Sequence, residues 1–201
     1  SCICPELPFE VKLIELEPQD TIDIGVFHIN CLKVNHKITC YAYNVQVKRV
    51  GRFDVQKANA LNIPKKLWSI LQKQQSVEFE GKTYTSDMVL GSPRKGIKVS
   101  YCTDTRPTKE LPAFVENSDL LICEGMYGEK DKIQKAKEYK HMMFTEAAEI
   151  AKKANVNEMW LTHFSPDMPF PEEFLPSAKE IFENTHIGKD RKNVTLLFEE
   201  D

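Results

Sequence analysis

The sequence predicts an α/β protein, with one sheet whose strands run into a ligand site and helices laid on one face. Three stretches predict it. The alternating run Ile97, Val99 and Tyr101 reads as a strand and ends in Asp104-Thr105-Arg106-Pro107. Met159-Trp160-Leu161 runs into Thr162-His163-Phe164-Ser165, and Cys31–Val34 runs into Asn35-His36. The carboxyl ends of strands are where α/β sheets place their ligands. Taken alone, Asp104, three residues ahead of Pro107, is equally a turn residue, and His36 equally a turn histidine. Taken together, His, Asp and His at three strand ends compose a metal site from distant parts of the chain.

With 201 residues, a single domain is the default. A net charge of −3 gives no global attraction to nucleic acid, so such a role needs a local basic patch. No apolar run approaches the roughly 18 residues of a membrane span, and the first residues carry no signal-peptide pattern; no membrane partner is expected. Six cysteines stand at positions 2, 4, 31, 40, 102 and 123. The last four lie in apolar runs and read as buried free thiols. Cys2 and Cys4 have one residue between them, closer than zinc knuckles use. This cysteine usage points to a reducing, cytoplasmic setting.

Taken in order, Phe9–Leu16 alternates as a strand, and Pro18-Gln19-Asp20 turns the chain. Asp23–Phe27 and Ile29–Val34 read as two strands with His28 between them and without a site role. Cys40–Val47 is the next strand.

Residues 48–96 differ in character. They hold ten Lys or Arg against four acids, the basic patch that the whole-chain charge conceals. A helix at Val55–Leu61 stops before Pro64, an amphipathic run carries Leu67, Trp68, Ile70 and Leu71, and Val77–Tyr84 forms a hairpin about Gly81. Such a run is usually a solvated face. Its place between two ligand-bearing strands points to an inserted arm, 48–96, that holds a polyanion.

After Asp104 a helix is expected at Glu110–Asn117, then a buried strand, Leu120–Cys123, closed by the carboxylate Glu124. Residues 129–140 are helical. His141 precedes a second helix, Thr145–Ala154, with Thr145 as its N-cap. A helix at Pro176–Asn184, a loop holding His186 and a last strand, Val194–Phe198, complete the chain.

With these residues in view, the chain from about Pro8 onward resembles the carboxyl-terminal part of the ribonuclease Z family, tRNA 3′-processing endonucleases of the metallo-β-lactamase superfamily. The resemblance is carried by Asn35-His36, Tyr101-Cys-Thr-Asp104-Thr-Arg-Pro, Cys123-Glu124, His141 ahead of Glu146-Ala-Ala, and Leu161-Thr-His163-Phe-Ser. It implies the second half of a four-layer αβ/βα sandwich and a pair of zinc ions per complete site. His36 would bind one zinc, Asp104 would bridge both and His163 would bind the other. His141 would protonate the leaving oxygen, oriented by Glu124. Lys65, Lys66 and Lys73 in the arm, with Arg106, would hold precursor tRNA.

The family's His-x-His-x-Asp-His signature does not occur in these 201 residues. With it missing, the chain alone is expected to hold zinc poorly, to be inactive by itself, and to form a homodimer or associate with the missing amino-terminal half. The rival expectations are a superfamily hydrolase of a small ester or cyclic nucleotide, which needs no basic arm, and a non-catalytic tRNA-binding fragment.

Overall fold

The computed structural model describes residues 10–200 apart from Lys12 and Gln19. Nine strands are formed among them: β1 (Thr21–Ile24), β2 (Phe27–Lys33), β3 (Tyr41–Arg49), β4 (Ser76–Phe79), β5 (Lys82–Thr85), β6 (Arg94–Cys102), β7 (Leu120–Glu124), β8 (Glu158–Thr162) and β9 (Thr185–Ile187). Seven make one sheet in the order β1-β2-β3-β6-β7-β8-β9; β4 and β5 pair separately. From β1 to β6 neighbours run antiparallel, and from β6 to β9 they run parallel. A parallel pair needs a crossover connection. Those crossovers are the helices α3 (Leu111–Phe114), α4 (Ile133–Tyr139), α5 (Phe144–Lys153) and α6 (Leu175–Lys179).

Alternation along each strand gives the sheet two distinct faces. On one face, Leu121, Cys123, Met159 and Leu161 pack with Phe144, Ala147, Ala148 and Ala151 of α5, all completely buried. Small alanines on α5 leave room for larger strand side chains. On the other face, Tyr43, Val45 and Val47 of β3 stand opposite Tyr101, Val99 and Ile97 of β6. Apart from Tyr101 these residues stay half-buried; Tyr101 and, on β2, Phe27 are 46% and 47% exposed. A sheet with helices on one face and a wide apolar surface on the other is one half of a layered sandwich.

Between β3 and β6 the chain leaves the sheet to build the arm. It contains α1 (Val55–Ala60), α2 (Lys65–Leu71) and the β4–β5 hairpin, whose turn residues Glu80 and Gly81 both have positive φ, as a tight two-residue turn requires. The arm has its own core of Ala58, Ile63, Leu67, Leu71 and Val89. Its neck is narrow: a Cβ on Gly51 would fall 2.1 Å from the Gly91 carbonyl oxygen, and the Gly91 amide donates to the Arg52 carbonyl at 2.8 Å.

Several local expectations are corrected. Of the strand expected at Phe9–Leu16, Phe9 and Lys12 lie outside the described residues, and the others form no strand. The first hairpin turns at Gly25-Val26, with Gly25 at φ +60°, so His28 lies inside β2, its Nδ1 2.5 Å from the Asp23 carboxylate across the hairpin. Helix α5 begins at Phe144, and its N-cap is Met143 rather than Thr145, because the bridge between Tyr127 and Met143 holds Met143 extended. The Met143 amide is satisfied by the Glu146 carboxylate at 2.9 Å. Helix α6 stops at Lys179, and His186 sits in β9, paired with Trp160. Val194–Phe198 has the composition of a strand but forms none, although Arg49 of β3 lies 5.0 Å over the Phe198 ring. Of the four described cysteines, all free, Cys31, Cys102 and Cys123 are buried and Cys40 is half-buried. Cys2 and Cys4 lie outside the described residues.

Candidate metal centre

The loops that follow β2, β6, β7 and β8 meet at one end of the sheet and carry the charged residues there. His36 lies between β2 and β3, Asp104 just after β6, Glu124 at the last position of β7 and His163 just after β8. His141 comes from the connection between α4 and α5. Asp104 (φ +24°) and His163 (φ +58°) both hold a left-handed backbone. Non-glycine residues adopt it reluctantly, and it persists where the surroundings fix it, as at ligand clamps.

Asp104 is central. Its Oδ2 lies 3.8 Å from Nε2 of His36, and its Oδ1 lies 3.3 Å from Nε2 of His163. The Thr103 hydroxyl donates to Oδ1 at 2.5 Å. Burial pushes the Asp104 carboxyl up, but the Thr103 hydroxyl and the nearby His163, His141 and His36 outweigh it and bring the group below its ordinary value. His36 is oriented from behind: its Nδ1 lies 3.1 Å from the Lys140 carbonyl oxygen and donates to it, which leaves Nε2 as the lone-pair nitrogen facing Asp104. Backbone bonds between Asn35 and Arg106, and from the Asn35 amide to the Thr105 hydroxyl at 3.0 Å, hold the His36 and Asp104 loops together.

Beneath this group lies Glu124, fully buried. It accepts hydrogen bonds from the Thr105 amide, from the Met142 amide at 3.1 Å and from Nδ1 of His141, 3.2 Å from both carboxylate oxygens. The hydrogen bond to Glu124 raises the His141 pKa, with burial opposing it and the charges of Glu124 and Asp104 adding to it. The His141 ring stands 4.9 Å from that of His36 and 5.4 Å from that of His163. His36, Asp104 and His141 each offer one ligand atom, and the three atoms lie within 4.8 Å of one another. His163 stands outside that triad, against the other Asp104 oxygen.

Arg106 is placed differently from the substrate contact that the sequence suggests. One guanidinium nitrogen donates to the His141 carbonyl at 2.6 Å and to Glu146 Oε2 at 2.7 Å, and the other donates to Glu146 Oε1. It thus clamps the His141 loop to the start of α5. Glu146 and Lys140 were not anticipated. An acid at the third position of a helix was the available signal for Glu146; the use of the Lys140 carbonyl had none. Lys65 and Lys66 on α2, and Lys73 just beyond it, are exposed. Lys66 Nζ lies 3.7 Å over the Phe79 ring. Among the described residues no helix is long and apolar enough to cross a membrane.

Known proteins match this chain along nearly its whole length. The model of the beta-lactamase superfamily domain matches residues 45–164. The chain is 55% identical over 200 residues to a protein of Agathobacter rectalis named Ribonuclease Z, covering 99% of this chain and 66% of that one. It is 52% identical over 200 residues to the Ribonuclease Z of Lachnoclostridium phytofermentans, with the same coverage of 99% and 66%. The chain therefore spans 66% of the length of these curated relatives. Among solved structures, the metallo-beta-lactamase fold protein YhfI from Bacillus subtilis superimposes with a TM-score of 0.58 at 24% identity, over 89% of this chain and 53% of that one.

Proposed function

Since this chain belongs to the ribonuclease Z family of the beta-lactamase superfamily, we propose that it is the carboxyl-terminal part of a zinc-dependent endoribonuclease that removes 3′ trailers from precursor tRNA in the cytoplasm. The supporting observation is the Asp104 carboxylate, which turns one oxygen to His36 and the other to His163. A carboxylate so disposed suits a bridge between two cations. The donor set of imidazole nitrogens and a carboxylate suits zinc.

In that reading His36, Asp104 and His163 hold the metal pair. Zinc, when bound, supplies Lewis acidity at the phosphate. The chain's own residues do the rest. Asp104 keeps its negative charge between the two histidines. The His141 ring stands 4.9 Å from that of His36 and 5.4 Å from that of His163, while its Nδ1 is tied to the buried Glu124. An imidazole held on one side by a carboxylate is oriented to give a proton from the other, and the leaving oxygen of the RNA strand receives it. Arg106 and Glu146 fix the backbone of His141, so Arg106 serves here as a positioning residue. The buried Glu124 carboxylate raises the His141 pKa and so favours the protonated, proton-giving ring, and on that ground we assign His141 to proton transfer rather than to the metal.

The arm stands at the other end of β3 and β6, nine residues away along each strand, or roughly 30 Å. Lys65, Lys66 and Lys73 on it would hold the body of tRNA far from the scissile bond. The apolar face of the sheet would be covered by the second sheet of the sandwich, which brings the remaining metal ligands, or by a second copy of the chain. The test is zinc content and precursor-tRNA cleavage by an enzyme of the relatives' full length. Asp104→Ala should lose both. Full zinc occupancy and cleavage in that variant would overturn the assignment.

A further inference from the structure

We propose that Lys140 is a positioning residue: the one peptide plane joining it to His141 sets the tautomer of His36 and the stance of His141 together. Metal ligand and proton donor are thereby aligned by a single unit. This rests on the reading above. Helix α4 ends at Tyr139, and Lys140 caps it in the left-handed region, at φ +61° and ψ +49°. Glycine is the usual residue in that position, because a Cβ crowds the following carbonyl there. A lysine held in that conformation points to surroundings that fix the turn.

The fixing contacts lie on both sides of the peptide. The His141 amide donates back to the Ala136 carbonyl at 2.9 Å, and the Lys140 amide donates to the same oxygen. Ala136 is fully buried and packs with Tyr127 and Met143, so the end of α4 is anchored. A trans peptide is planar, with its N–H and C=O pointing opposite ways. Fixing the His141 N–H on the helix therefore aims the Lys140 carbonyl away from the helix. Nδ1 of His36 lies there, at 3.1 Å. A carbonyl can only accept, so Nδ1 carries the proton and Nε2 keeps its lone pair.

Two side chains hold the His36 loop against the same turn. Lys140 Nζ donates to the His36 carbonyl at 3.3 Å, which closes a reciprocal pair between residues 104 apart in the chain. Lys37 Nζ lies 4.4 Å over the Tyr139 ring. Lys140 is half-buried, with its side chain along this loop rather than out in solvent. Turning the Lys140–His141 peptide would release the His36 ring and swing the His141 backbone in one movement.

The test uses an enzyme of the relatives' full length with its histidines isotopically labelled at nitrogen, and the variants Lys140→Val and Lys140→Gly. Stripped of metal, the parent should show His36 as the Nδ1–H tautomer by nuclear magnetic resonance, assigned by the loss of those signals in His36→Gln. A β-branched residue resists positive φ, so Lys140→Val should turn the peptide. The His36 signals should then move to a mixture of tautomers, and zinc affinity should fall roughly 10–100-fold. Turnover at saturating zinc should fall on the order of a hundredfold, the scale of a small misplacement. Glycine adopts the turn freely. Lys140→Gly should keep the single tautomer and lose the lysine tether alone, with zinc affinity falling less than in the valine variant. A folded Lys140→Val with the parent's tautomer and zinc affinity overturns the proposal, since a role confined to capping α4 would change stability only. If that variant does not fold, an Nε2–H tautomer in the metal-free parent, or a mixture in Lys140→Gly, overturns it instead. The tautomer is read without metal or RNA, so its failure is distinct from failure of the parent reading, which Asp104→Ala decides.

Discussion

Glu124 holds both of its carboxylate oxygens 3.2 Å from Nδ1 of His141, with no part of the acid exposed to solvent. The same two oxygens take the amides of Thr105 and Met142, so one side chain joins the Asp104 loop to the His141 loop. Glu124→Gln keeps the shape but turns a donor toward a donor. It should cost roughly 1–3 kcal/mol of stability, the penalty of a buried unsatisfied polar group. A urea titration reads this directly, and an unchanged midpoint would argue against the shared role of Glu124.

His141→Ala should reduce turnover of a full-length enzyme by roughly 10²–10⁴, the scale of general acid catalysis, with zinc content unchanged. The proximity of His141 to His36 and Asp104 makes this a sharp test. Loss of one zinc in the variant would move His141 from proton donor to ligand.

In the arm, Lys65→Glu, Lys66→Glu and Lys73→Glu together should weaken tRNA binding and make it less salt-dependent, since fewer counterions are released. Metal content should not change, because the arm packs on its own core. Equal affinity of variant and parent at low salt would remove the arm from substrate binding.

The 201-residue chain by itself should bind zinc poorly and self-associate. If Asp104 bridges two metals as proposed, each would have two protein ligands from these 201 residues, one fewer than catalytic zinc normally has. The face of β3 and β6 that carries Tyr43, Val45, Val47, Ile97, Val99 and Tyr101 has no second layer over it among the described residues, and contiguous apolar patches beyond a few hundred Å² are uncommon on monomers. Sedimentation and metal analysis would decide this. A monomer carrying two tightly held zincs would show that the site is complete within this chain.

Most of what gathers at the site was readable because it follows a simple rule. His36, Asp104, Glu124 and His163 each end or follow an apolar run, and alternation locates such runs well. What was not readable depends on neighbours. β9 is three residues long and exists because β8 lies beside it. Val194–Phe198 is as apolar as a strand but forms none. Met143 caps α5 because a bridge to Tyr127 fixes its backbone, which no local preference for threonine could foresee. Arg106 looked free for substrate because its partner Glu146 lies forty residues on.

The crossing of Gly51 and Gly91 carries one more consequence. Two backbones meet there with no space for a side chain on Gly51, and everything beyond folds about its own core. The arm is therefore a cartridge joined at a single seam. If the arm grips RNA as proposed, exchanging residues 52–90 between relatives, seam to seam, should transplant RNA preference and leave the residues that face Asp104 in place.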